Sequence, residues 1–493
     1  MNDIHQKAKR GIKLLLGRQV AAQILTFAGG VVLARILGPS QFGLYVIACF
    51  LVNTLALLGD FGLALSLVQR KAELTDLDLQ VGFTLQQILT TAVVIGLLIT
   101  APWLVAFYPK APAQTIWLIR AMAFTLYLTS WRSMSVLQLE RHLRYERLAK
   151  IEVAEIFTFQ GLAVILAIAG CGVWSYVFAT LAQGILGTIL VYTASPWPVR
   201  LAFDRKIAGT ILRYGIPFQV QVILNSVGGW ITPLLVGGMT GPIGVGYLTW
   251  ASSIGKKPQF IVSSVMRVSF PHFARLQDDR PEVERTIIRY LTLILLPAGL
   301  WFSVLLVAGP ALVHMIYTTK WTPAVPALIL FAAGHMFEMA SMIIGMTLNG
   351  LGLVSFTTRF VLIRSLLNVA ISVALIPFFG WTGVAVGYLA SVLITTPWML
   401  YGLGKEAFVK ILAAISWQFI PIGVSIAVGE SVARIPLSVP VQAVACTVIA
   451  TTSYIAASYV ASPGWLKELL LERLSRRTNL PFRGSIPDAT GGN

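Results

Sequence analysis

The sequence predicts an all-α polytopic membrane protein of about fourteen transmembrane helices, built as two pseudo-symmetric six-helix lobes plus two extra helices. Three observations carry that prediction. The 493 residues are 56% hydrophobic and 12% charged, with a mean hydropathy of +0.78, whereas a soluble chain carries roughly 25% charged residues. A turn repeats: Gly38-Pro39-x-x-x-Gly43 returns 203 positions later as Gly241-Pro242-x-x-x-Gly246, and Gly172-Val173-x5-Ala179 is echoed at Gly383-Val384-x5-Ala390. Related halves joined this way are the usual build of a transporter. Finally, basic residues alternate between successive loops, as the topology of membrane helices requires.

The spans follow in order, at about 12–36, 43–67, 81–101, 116–138, 151–169, 173–193, 210–237, 242–269, 287–308, 324–348, 358–377, 381–401, 410–428 and 439–460. Most reach the roughly 20 residues that cross a hydrocarbon core. Gly38-Pro39 turns the chain between the first two, because proline cannot donate a backbone hydrogen bond and glycine tolerates unusual dihedrals. Gly170-Cys171-Gly172 divides the fifth from the sixth. The expected domains are an N-terminal lobe 1–193, an inter-lobe loop 194–209, a C-terminal lobe 210–402, helices 13 and 14 within 410–460, and a tail 461–493.

With the N-terminus in the cytoplasm, every second loop is basic: Arg70 and Lys71, then Arg141, Arg144, Arg147 and Lys150, then Arg200, Arg205, Lys206 and Arg213, then Arg275, Arg280 and Arg285. Arg359, Lys405 and Lys410 continue the series, and the opposite loops hold little beyond Lys110, Arg120, Lys320 and Arg434. Both termini are therefore expected inside a cytoplasmic (cell inner) membrane. After Ser462-Pro463, apolar Trp465, Leu466, Leu469, Leu470 and Leu474 share a helical face opposite Lys467, Glu468, Glu472, Arg473, Arg476 and Arg477. This reads as an interfacial helix on the anionic leaflet or a partner-docking helix. Residues 480–493, rich in Pro and Gly, read as disordered.

Composition also excludes. The basic start leads into a span too long for a signal-peptide core. Cys49, Cys171 and Cys446 have neither metal-site nor disulfide spacing. The net charge of +17 is accounted for by basic cytoplasmic loops, so no nucleic-acid partner is expected. No phosphate-binding loop, Asp-x-Asp cluster or large external loop is present, so neither a cofactor nor enzymatic chemistry is expected.

Polar residues deep in apolar spans mark candidate function, because charge in lipid is expensive and faces a bundle interior or water-filled cavity. Arg18 and Asp60 sit at similar depth in the first hairpin, either as a structural ion pair or as a coupling site. Lys256 and Lys257, followed by Pro258, lie near the middle of span 8 with Asn225 at the same depth. They either bind an anionic substrate in a cavity or snorkel to an interface. His335 and Glu338 are spaced i, i+3 with Asn368 at similar depth, as a proton relay or a buried hydrogen bond. Arg132, Arg364, Gln219 and Gln221 are further cavity candidates. Trp103, Tyr108, Trp197 and Trp321 read as membrane-interface anchors.

Four stretches carry a family likeness: LARILGPSQFGLY (33–45), LLGDFGLALSLVQR (57–70), LQLERHLRYERLAKIE (137–152) and SSVMRVSFPHFARLQDD (263–279). They resemble the polysaccharide exporters of the multidrug/oligosaccharidyl-lipid/polysaccharide superfamily, above all the Wzx-type, WzxC-like flippases. The resemblance implies a fold like that of multidrug exporters of the superfamily, with a central cavity open to each side in turn. It also implies an undecaprenyl-diphosphate-linked oligosaccharide as substrate, for exopolysaccharide, capsule or lipopolysaccharide synthesis. Polysaccharide polymerase and co-polymerase proteins are the protein partners to expect. Alternatives are a cation-coupled multidrug exporter, a peptidoglycan-precursor flippase and, from another class, a membrane-embedded glycan polymerase or ligase. A multidrug exporter would prefer an acidic cavity, and a polymerase would need a long external loop.

Overall fold

A computed structural model describes residues 22–60, 75–142, 144–260 and 279–464, with positions 262, 273 and 276. Helices run through all of it, and no strand occurs among the described residues. In chain order they are α1 (Ala22–Ile36), α2 (Pro39–Asp60), α3 (Asp76–Ala106), α4 (Gln114–Arg141), α5 (Tyr145–Ile168), α6 (Trp174–Ala194), α7 (Arg205–Ser226) and α8 (Pro242–Gly255). Then come α9 (Arg280–Tyr317), α10 (Val325–Gly350), α11 (Val354–Phe379), α12 (Thr382–Tyr401), α13 (Lys405–Ser416), α14 (Phe419–Ala433) and α15 (Val439–Ala461). Where the predicted spans fall among the described residues they coincide with helices, the thirteenth being shared by α13 and α14; the outer parts of the first, second and eighth lie outside the described residues, and α8 ends at Gly255, before the middle of the eighth span. Ten described helical stretches are long and apolar enough to cross a membrane. The chain is an integral membrane protein.

Local chemistry sets the helix starts. Thr75 and Asp78 form a reciprocal capping box at α3, with Asp78 N donating to Thr75 Oγ1 at 3.2 Å and Thr75 N to Asp78 Oδ2 at 3.0 Å. Pro39 and Pro242 open α2 and α8 at the position where a missing N–H is harmless. Gly241, at φ 86°, takes a left-handed conformation that a side chain would resist. Between α7 and α8 the helix loosens into a 3₁₀ turn at Val227–Trp230 and a π segment at Ile231–Val236, before Gly237–Thr240 returns to α. Gly228, Gly229 and Pro233 lie in this stretch, and non-α turns of this kind mark functional segments.

The chain forms two compact units. One runs to Ile254 and adds Val313–Phe331 and Val361–Ser391; the other holds Gly255–Leu312, Ala332–Phe360 and the residues from Val392. In the first, small side chains let α1, α5 and α6 approach: Ala163, Ala167 and Ala179 are buried with Leu33, Leu37 and Tyr176. In the second, α14 and α15 pair as a hairpin, with Ser425 Oγ donating to Ala450 O at 2.9 Å and Tyr454 Oη to Leu296 O at 2.9 Å.

Of the four expected interface anchors, Trp103 is 69% exposed, but Tyr108, Trp197 and Trp321 are buried. The cause is local packing. Trp197 meets Phe83 edge-on at 5.1 Å, and the Trp321 indole donates to Ala34 O at 2.8 Å. Asp60 ends α2, but its side chain and Arg18 lie outside the described residues, as does the amphipathic tail helix.

Candidate functional site

A cavity of about 790 Å³ opens among α2, α3, α4 and the irregular end of α7, within the roughly 300–1,000 Å³ range of ligand sites. Its lining mixes apolar side chains, among them Phe50, Leu57, Val93 and Leu126, with polar ones. Asn53 and Thr54 come from α2, Gln86 and Thr90 from α3, and Thr129, Ser130, Arg132, Ser133 and Glu140 from α4. Ser226, Gly229 and Trp230 bring the non-α backbone of the seventh span to the wall. Irregular backbone at membrane depth is tolerated where it lines a cavity of this kind.

Arg132 is held from behind. Its Nη1 donates to Glu155 Oε1 on α5 at 2.7 Å, a charge-assisted bond, with the Arg side chain 26% and the Glu side chain 8% exposed. Gly187 of α6 makes the room: a Cβ there would fall within Glu155 Oε1 and lie 2.8 Å from Arg132 Nη1. Three helices thus fix one guanidinium at the cavity wall.

A second constellation joins the repeated turns inside the same unit. Gly43 packs on Pro242 and Gly246 packs on Pro39, so each repeat presents its glycine to the other's proline carbonyl. Beside this reciprocal contact, Arg35 Nε donates to Ile316 O at 2.7 Å and Arg35 Nη2 to Met315 O at 2.5 Å. The guanidinium therefore caps the last-turn carbonyls of α9 and opposes that helix's negative end. Trp321 fills the space between, against Phe42 at 6.1 Å and Trp250 at 5.0 Å, while Tyr247 Oη donates to Lys320 O at 3.0 Å.

The remaining sequence candidates scatter. Of the seven proposed substrate residues, Arg132 lines the cavity. Gln219 is buried and donates its amide to Leu57 O, tying α7 to α2. Gln221 and Asn225 lie on α7, with side chains outside the described residues. Lys256 and Lys257 form a turn with Pro258 immediately after α8; Lys256 is exposed and Lys257 half-buried. Arg364 and Asn368 are half-buried on α11, and Asn368 accepts from Ser372 Oγ at 3.3 Å. His335 and Glu338 meet as their spacing predicts, Nδ1 to Oε2 at 3.0 Å, with side chains 9% and 15% exposed. The second unit also encloses a smaller apolar cavity of about 160 Å³, lined by Leu291, Met336, Phe337, Pro397 and Leu400, with Gln418 on its wall.

A cavity carrying polar side chains inside a membrane helix bundle, bounded on one side by an interrupted helix, is the arrangement of secondary transporters. Residues 32–326 match the family described as "Polysaccharide biosynthesis protein", and the chain belongs to that family. The succinoglycan biosynthesis transport protein ExoT of Rhizobium meliloti is 24% identical over 315 residues, which is 62% of each chain. The lipopolysaccharide biosynthesis protein WzxC of Escherichia coli K12 is 24% identical over 380 residues, 74% of each chain. Among solved structures, the lipid II flippase MurJ in an inward closed conformation superposes with a TM-score of 0.72 at 14% identity, covering 92% of this chain and all of that one. An inward-facing multidrug resistance MATE family transporter superposes with a TM-score of 0.56 at 15% identity, covering 80% of this chain and 96% of that one, so the chain shares the fold of these two structures.

Proposed function

We propose that this protein flips undecaprenyl-diphosphate-linked oligosaccharide repeat units across the cytoplasmic membrane for surface-polysaccharide synthesis. The polar cavity with Arg132 at its wall is the observation that carries the reading. A sugar-diphosphate headgroup does not cross hydrocarbon unaided, because its polar groups lose their hydration. A cavity of hydroxyls, amides and one guanidinium replaces that hydration, while the polyprenyl chain stays in an apolar environment. Two lobes, 1–193 and 210–402, rock about the site and expose it to each side in turn. No covalent step is needed, so the protein is a transporter rather than an enzyme. Both termini lie in the cytoplasm, as the loop charges require. Polymerase and co-polymerase proteins receive the flipped unit. Lys256 and Lys257 add positive charge at the helix break after α8, and the His335–Glu338 pair is the candidate coupling element of the second unit. The family and its flippase relatives favour this over multidrug export.

Reconstitution tests it. In proteoliposomes loaded with undecaprenyl-diphosphate-linked oligosaccharide, the protein should render inner-leaflet glycan accessible to an external lectin, and Arg132→Gln should slow this at least tenfold. Wild-type protein that leaves inner-leaflet glycan protected would overturn the assignment.

A further inference from the structure

Trp197 is buried against Phe83, and the anchor role its sequence suggests passes to the loop that follows it, between α6 and α7. Residues 196–204 have no regular structure, yet they are tied to their surroundings along their length. Tyr192 Oη donates to Trp197 O at 3.3 Å, Gln80 Nε2 to Pro198 O at 3.5 Å, and Ala202 N to Thr84 Oγ1 at 3.0 Å. The two ties to α3 fix a depth. With 31 residues, α3 is about 46 Å long, roughly 16 Å more than a hydrocarbon core. A centred helix of that length leaves about 8 Å in the headgroup layer at each end. Thr84 stands eight residues after Asp76, about 12 Å along the helix. The loop therefore rests where headgroups meet acyl chains.

What the loop presents at that depth is amphipathic. Leu201 and Phe203 are 72% and 67% exposed, and Val199 is exposed beside them. Large apolar side chains on an exposed loop are costly in water and at home among acyl chains. Between and after them come Arg200, Arg205 and Lys206, all exposed. Among the described residues these three cations have no ion pair and no side-chain hydrogen bond. Arg147 adds a fourth, its Nη1 donating to Ala194 O at 3.0 Å at the end of α6. Two carboxylates accompany them. Asp204 accepts from Lys206 N at 2.8 Å and Ile207 N at 2.9 Å and so caps α7, and Asp76 is exposed one turn before Gln80. Four cations against two carboxylates leave the surface positive.

We propose that this loop is a binding site for an anionic phospholipid. Arg200, Arg205 and Lys206 hold the phosphate, and Leu201 and Phe203 lie among the acyl chains. A zwitterionic lipid offers the same chains but carries its own cation beside the phosphate, so charge complementarity selects the anionic one. With the topology proposed above, the lipid comes from the cytoplasmic leaflet.

The experiment uses the full chain in phosphatidylcholine nanodiscs, with the native cysteines replaced by serine and a bimane fluorophore on Val199→Cys. Quenching by spin-labelled phosphatidylglycerol is compared with quenching by spin-labelled phosphatidylcholine at equal mole fraction. Phosphatidylglycerol should be preferred about fivefold or more, as one cation at a membrane surface gives. In about 1 M salt, where the Debye length falls to about 3 Å, the preference should shrink, a result that needs no further variant. Arg200→Gln with Arg205→Gln and Lys206→Gln should abolish the preference, whereas Arg200→Lys with Arg205→Lys should keep most of it. Leu201→Ser with Phe203→Ser should weaken quenching by both lipids, because the loop lifts toward water. Equal quenching by the two lipids in the otherwise unaltered loop, or a preference that survives the triple Gln variant, overturns the site. Readier displacement of the spin-labelled phosphatidylglycerol by undecaprenyl diphosphate than by unlabelled phosphatidylglycerol would make the loop a docking point for the transported lipid and overturn the phospholipid assignment. The flippase reading stands or falls separately, on the lectin assay.

Discussion

Replacing Gly43 with alanine should prise apart the two repeated turns. The new Cβ would fall inside Pro242 O and lie 2.6 Å from Pro242 C and 2.9 Å from Gly246 N. All three are backbone atoms, so no side chain swings away. Carbon contacts settle at about 3.5–4.0 Å, so the segments must separate by roughly 1 Å. Overpacking of this kind costs roughly 1–3 kcal/mol, and two facing backbones put it in the upper part of that range. The same shift stretches the Trp321–Ala34 and Arg35–Ile316 bonds, now 2.8 and 2.7 Å, beyond useful length, at about 1 kcal/mol each. Together these make a penalty of about 4 kcal/mol, which moves the open–closed balance of this contact several-hundredfold. The assay is pulsed dipolar spectroscopy in nanodiscs, with spin labels at Ser40 and Thr319 after the native cysteines are replaced by serine. Gly43→Ala should lengthen and broaden the distance distribution. Gly30→Ala, whose Cβ meets nothing within 4 Å, should not. Gly246→Ala should match Gly43→Ala, and the double variant should be less than additive because one insertion has already parted the pair. An unchanged distribution in Gly43→Ala at wild-type melting temperature would refute the reasoning.

Glu155→Gln should lower stability by about 1.5–3 kcal/mol, since it strips the charge from the partner of Arg132; thermal unfolding in detergent measures it. Gly187→Ala should separate the same pair sterically, so lectin-detected flipping should fall about as far as in Arg132→Gln. Replacing both Lys256 and Lys257 with Gln should reduce flipping while folded yield is kept, and normal flipping by that variant would remove the lysines from the mechanism. A reporter fused near Lys320 should read as external and one near Tyr145 as cytoplasmic; the reverse pattern would sink the topology.

Much of the fold was legible because a membrane helix is a one-dimensional signal. Continuous apolar runs and Gly-Pro turns locate the spans that fall among the described residues; the helix start at Pro242 matches its span, whereas α2 begins at Pro39, ahead of the start predicted at Gly43, because proline is favoured in a first helical turn. The site was less legible. The Arg132–Glu155 pair was within reach, because the two residues stand eleven and twelve positions either side of residue 143. Equal-depth counting across that turn groups these two just as it groups Arg18 with Asp60. Gln86 lines the cavity without carrying a formal charge, and its sequence signal is only that Gln86-Gln87 interrupts an otherwise apolar span. The burial of Trp321 was unreadable for another reason: its partners Ala34, Phe42 and Trp250 are distant in the chain.

The polar face of α4 has a consequence for how the protein is made. With Arg132, Glu140 and a run of serines and threonines, α4 is not among the helices apolar enough to enter a membrane by composition. Its neighbours α3 and α5 are. During synthesis α4 therefore emerges into the insertion machinery as a poor client, stable in lipid only once α3 shields its hydroxyls and α5 delivers Glu155 to its arginine. Biogenesis should proceed in blocks of helices rather than singly. With the native cysteines replaced, a Trp131→Cys label site in a released chain truncated after Arg141 should stay accessible to an aqueous maleimide, and in one extended through Ile168 it should be protected by the bilayer.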